Sequence, residues 1–177
     1  MWTIGDSTPA VRLNPVVEPG EWKETIQQTT ELTETEQLQK EFWTAFRDQI
    51  DTPNCPLSPR KPKPQHWYNN PIGKTGFALK FKMDTSENHL EVGLLIRDDE
   101  AAYYDLEANR DVVDAAIESE VEWHEPWETS AGKMRSQIIC TRKMNLRDRD
   151  QWDKYLDWLV EHGERFQVVF APRVKQL

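Results

Sequence analysis

Glycine and cysteine are both scarce in this sequence. Seven glycines in 177 residues leave no Gly-rich phosphate loop, and no cysteine–histidine spacing suggests zinc. Two cysteines, Cys55 and Cys140, cannot build a disulfide framework and point to a reducing compartment. No apolar run is long enough to span a bilayer, and cytoplasm is the expected location. Net charge is -9, so the global field repels phosphate and argues against indiscriminate polyanion binding. Hydrophobic residues make up only 37% of the chain, against 30% charged. Eight tryptophans compensate, since each buries a large apolar area in a small core.

Acidic residues are themselves missing from two windows. None lies between Thr52 and Met83, where Arg60, Lys61, Lys63, Lys74, Lys80 and Lys82 fall. None lies from Thr129 to Arg147, which holds Lys133, Arg135, Arg142, Lys143 and Arg147. The first window contains PRKPKPQHWYNNPIGKTG, residues 59–76. Pro59, Pro62 and Pro64 exclude helix and favour extended backbone, a stiff rail that holds cations outward. Trp67 and Tyr68 add flat faces for packing or stacking, and Gly73 and Gly76 allow tight turning.

Residues 1–30 read as an extended connector, with short extended pieces at 2–4, 11–13 and 16–17, and residues 31–177 as a single domain. Thr33 with Glu36 makes a capping box for a helix whose stripe is Leu38, Phe42, Phe46 and Ile50, ended by Thr52-Pro53. Phe77, Leu79, Phe81 and Met83 alternate with Ala78, Lys80 and Lys82 as a strand, and Asp84 to Asn88 turns into a returning strand at Leu90, Val92, Leu94 and Ile96. Asp98 or Asp99 caps a second helix through Ile117. Val121 and Trp123 mark a short strand, and Met134 to Thr141 a fourth one. A last helix starts near Asp148 or Asp150 and runs across Gly163 to about Phe170, with Pro172 as its stop. The expected fold is α+β in the order α-β-β-α-β-β-α, a small antiparallel sheet with helices on one face.

The acids lie mainly in the helices and the cations on the strands and loops. If both hairpins join one sheet, their outward faces form one cationic surface with the aromatic loop at its rim, suited to backbone phosphates. The competing reading is a sheet whose lysines guard against edge aggregation. The candidate contact residues are Arg60, Lys61, Lys63, His66, Trp67, Tyr68 and Lys74, then Arg135, Arg142 and Lys143. Trp67 has an alternative place as a core plug, and His66 as a ring packed in the loop.

Catalytic chemistry finds little footing. A nuclease core needs an Asp and a Glu-x-Lys on adjacent strands to hold a divalent metal. The hairpin offers Asp84 and Glu91-Val92-Gly93 without the lysine. Glu120, Glu122 and His124 alternate on a strand but lack a second ligand pair. Cys140 sits in an apolar alternation, as a buried cysteine does. No catalytic residue, metal or cofactor is expected in this chain.

HWY…PIGKTGF, preceded by LQKEFWTAFRD and PRKPKPQ, resembles the domain-of-unknown-function family 4268 of bacteria and archaea. The likeness runs from Glu31 to the closing FAPRVKQL. The opening WTIGDSTPAVRLNPVV resembles the joining segment of longer members, whose preceding half looks like a PD-(D/E)XK nuclease-like domain. The resemblance implies a C-terminal accessory part of a larger prokaryotic protein, with that nuclease-like domain as an intramolecular partner and a setting in genome defence or DNA maintenance. The expected function is DNA or RNA contact without catalysis. The rival is a protein-interaction or dimerisation module carried by an apolar sheet face or the Trp-rich last helix.

Overall fold

The computed structural model describes residues 32–177. The expected connector over residues 1–30, with its extended pieces, lies outside the described residues. Helix α1 (Glu34–Ile50) starts directly after Thr33 and buries Leu38, Phe42, Trp43, Phe46 and Ile50. Strands β2 (Phe77–Asp84) and β3 (His89–Arg97) form the expected hairpin. Its turn is held by Asp84, whose carboxylate accepts from the Ser86 amide, the Ser86 hydroxyl and the Glu87 amide.

An extra strand, β1 (Trp67–Pro71), occupies the edge beside β2 where the sequence suggested only a loop. Asn69, Asn70 and Pro71 are turn formers. Pairing with β2 overrides their local preference, and Pro71 is tolerated at the end of an edge strand. The second predicted helix is two: α2 (Glu100–Glu107), capped by Asp99 at the Ala102 amide, and α3 (Arg110–Ile117). The break falls at Asn109, whose side chain donates to the Asp105 carbonyl and so competes with backbone bonding.

Strands β4 (Glu122–Glu128) and β5 (Met134–Lys143) follow, with a bulge in β4 around Pro126. Helix α4 (Trp152–Val174) begins after a single 3₁₀ turn. It passes through Gly163 because that position sits under the Phe81 ring; a Cβ there would lie 2.7 Å from Phe81 Cζ. It also runs past Pro172, contrary to the predicted stop. Proline in the last turn removes only the bond to the Val168 carbonyl, at an exposed residue, while buried Val174 secures the final residues.

The sheet is antiparallel throughout, in the order β1-β2-β3-β5-β4. Two-residue alternation sorts its side chains. Phe77, Leu79, Phe81 and Met83 of β2, Leu90, Val92, Leu94 and Ile96 of β3, and Ile138 and Cys140 of β5 share one core with all four helices. The fold is therefore α+β with its helices on one side. Among the described residues, no helix covers the other side.

Candidate nucleic-acid interface

The two hairpins join through the β3–β5 pairing, and on the side of the sheet away from the described helices, here the open side, their strands share rows of side chains. Register places Arg97 of β3 directly across from Arg135 of β5, and Trp127 of β4 next in that row. One row runs Asn69, Lys80, Gly93, Ile139. The next runs Trp67, Lys82, Glu91, Thr141, and the last Asp84, His89, Lys143. Ile139 is only 6% exposed on this face because it lies over Gly93; a Cβ on Gly93 would be 2.7 Å from Ile139 Cγ2 and 2.1 Å from the Ile138 carbonyl oxygen.

Charges on this face fall into two kinds. Lys82 bonds Glu91 at 3.0 Å and lies 3.4 Å from Asp84, and His89 bonds the same Glu91 oxygen at 2.8 Å. Burial alone would raise the Glu91 pKa, but the bonds from His89 and Lys82 and the Lys80 charge outweigh it and hold Glu91 below the usual glutamate range. In contrast, Lys80, Arg97, Arg135 and Lys143 have no salt-bridge partner among the described residues. Burial, then the Lys82, Arg97 and Arg135 charges, depress the Lys80 pKa despite Glu91. Burial and Arg135 likewise depress that of Arg97. Like charges placed directly opposite on neighbouring strands are destabilising unless something neutralises them.

The proline-rich segment 57–65 forms a strap along the free edge of β1, held by the core-facing side chains Tyr68 and Asn70 and by Trp43. It is laced to the domain by backbone-directed bonds. Trp43 Nε1 donates to the Gln65 carbonyl at 2.7 Å. The Asn70 side chain both accepts from and donates to the Ser58 backbone. The Tyr68 hydroxyl donates to the Arg60 carbonyl at 2.9 Å and accepts from the Arg60 amide. Between strap and strand lies a cleft of about 370 Å³ lined by Arg60, Lys61, Lys63, Gln65, Trp67, Tyr68 and Asn69.

The predicted residues separate accordingly. Arg60, Lys61 and Lys63 are exposed along the cleft with no salt-bridge partner among the described residues. Trp67 is 37% exposed on the open side of β1, so it does not plug the core. His66 stands edge-on to it, with ring centroids 4.7 Å apart, and burial followed by the Lys82 and Lys80 charges depresses its pKa. Tyr68 is 4% exposed, faces the core and clasps the strap, so it offers no ring for stacking. Lys74 sits over the Phe77 ring in the β1–β2 turn. Arg135 and Lys143 reach the open face.

Arg142 does not join them. It lies on the helix side, 5.8 Å over the Tyr155 ring, and donates to the Lys154 carbonyl. The alternation through Cys140 already assigned it to the apolar side. Arg97 and Lys80, absent from the candidate set, were within reach of the same rule, since each alternates with core residues of its strand.

Other chemistry is sparse among the described residues. No group of three or more His, Cys, Asp or Glu is placed to hold a metal. His124 and Glu122 approach to 3.4 Å on exposed β4. The Cys140 thiol is pushed up to about 12 by burial, with Glu122, Asp114 and Glu120 adding to the effect. No described helix is long and apolar enough to cross a membrane.

Among the described residues, four helices on one side of a five-stranded antiparallel sheet define an α+β class. Residues 38–174 match the family described as Domain of unknown function (DUF4268), and the chain belongs to that family. No curated protein and no solved structure matches it.

Proposed function

We propose that this is a non-catalytic accessory domain that contacts nucleic acid through its open sheet face and strap. The carrying observation is the Arg97–Arg135 pair beside Lys80, cations without carboxylate partners among the described residues. Phosphate oxygens supply the missing negative charge and accept bidentate bonds from guanidinium. Several arginines elsewhere are neutralised: Arg147 pairs with Glu34, Arg149 with Glu41, and Arg165 with Glu118 and Glu161. An acidic molecule carrying such a face binds phosphate locally without general polyanion affinity. Its role is to help a nuclease-like domain joined to it engage substrate, in genome defence or DNA maintenance.

Filter-binding titration tests this. Arg97→Glu with Arg135→Glu is expected to weaken oligonucleotide retention by about tenfold or more, while Arg147→Glu with Arg149→Glu changes it little. Equal effects from both pairs would sink the proposal. A stable dimer by light scattering with no retention at any salt would instead favour a protein-interaction module.

A further inference from the structure

We infer that the cleft between the strap and β1 takes one unpaired nucleotide, its base on Trp67 and its phosphates on Arg60, Lys61 and Lys63, so that the ligand is single-stranded. This rests on the nucleic-acid reading above and narrows it.

The cleft has the dimensions and chemistry for that occupant. About 370 Å³ is at the small end of ligand-sized cavities, which run from roughly 300 Å³ upward. Its lining combines three cations with an exposed tryptophan and includes no carboxylate. Trp67 is buttressed by His66 at 75° to its plane, which orients the indole without covering both faces. Base–aromatic stacking requires a free base face, and an intact duplex offers none except at its ends. The walls are fixed before any ligand arrives. Tyr68 holds Arg60 at both its amide and carbonyl, Asn70 does the same for Ser58, and Gln65 is tied to Trp43 and to the Trp67 carbonyl. Such prior ordering removes much of the entropic cost of binding.

Asn69 also lines the cleft. Register also sets Asn69 beside Lys80, and Trp67 beside Lys82, so a strand leaving the cleft passes directly onto the open face.

The test uses fluorescence anisotropy on the full chain, with labelled single-stranded DNA, single-stranded RNA and a blunt DNA duplex of equal length at one salt concentration. Single strands are expected to bind more tightly than the duplex, and the DNA and RNA arms report which sugar is preferred. Trp67→Ala should weaken single-strand binding by about 5- to 150-fold, far more than it weakens duplex binding, while Trp67→Phe retains most affinity. Thermal melting of each variant confirms that the fold is intact, as expected for an exposed side chain. If Trp67→Ala lowers both affinities equally or neither, the cleft inference is wrong while phosphate contact stands. If no probe binds, both readings fall together.

Discussion

The two sides of this sheet handle positive charge in opposite ways. On the helix side, Arg147 and Arg149 reach Glu34 and Glu41 of α1, and Arg142 is spent on Tyr155 and a backbone carbonyl. On the open side Lys82 and His89 share Glu91 and His124 lies beside Glu122, whereas Arg97 and Arg135 are set against each other with no carboxylate partner among the described residues. Packing follows the same division. The helix side is a close-fitting aromatic core in which Phe46 meets Trp43, Tyr68 and Phe81. The open side is a single layer whose centre is closed by Ile139 leaning over Gly93. One side is arranged for stability, and the other retains uncompensated charge that folding alone does not require.

Stability and binding should therefore separate by mutation. The largest effect belongs to the core: Phe46→Ala is expected to cost about 3–5 kcal/mol by chemical denaturation, with the remaining folded protein binding oligonucleotide as before. Next comes the acidic anchor of the open side. Glu91→Gln leaves Lys82 and His89 with a neutral partner and should cost about 1–3 kcal/mol. The same change makes the face more positive, so binding should tighten while stability falls.

Acid should expose the same anchor. Glu91 and Asp84 are both held below their usual carboxylate ranges in the fold. For Glu91 the cause is its His89 and Lys82 bonds overcoming burial; for Asp84 it is the Ser86 and Glu87 bonds. Their contribution is complete above unfolded-state values of about 4 and is lost as pH falls through the folded ones. Wild type should lose stability on acidification more steeply than Glu91→Gln; parallel curves would remove Glu91 from the account. The smallest expected effect has the opposite sign. Arg135→Gln relieves the repulsion with Arg97 and should stabilise the domain by roughly 0.2–1 kcal/mol, measured by thermal melting.

Most of the fold was legible because its signals are local and periodic. The four-residue stripe of α1, the alternation in β2, β3 and β5 and the Asp99 cap each survive in the structure. Most failures are places where distant packing decides. β1 exists because β2 offers it an edge, and α4 outlasts Pro172 because Val174 is buried; the break at Asn109 is instead a local side-chain bond to the Asp105 carbonyl that the helical periodicity masks. In the candidate interface, the alternation rule separates Arg135 from Arg142 correctly, whereas proximity in sequence groups them. Tyr68 was unreadable as a clasp, since its partner Arg60 becomes adjacent only when the strap folds back. The Arg97–Arg135 opposition needed the β3–β5 register, which no local pattern provides.

The salt dependence of binding is the most direct probe of the central claim. For wild type, the logarithm of the affinity should fall linearly with the logarithm of salt concentration. Replacing Lys80, Arg97 and Arg135 by glutamine should flatten that slope by about two to three units, near 0.7–0.9 for each phosphate no longer neutralised. A wild-type slope near zero, or one that survives the triple replacement unchanged, would contradict the assignment of the open face to phosphate.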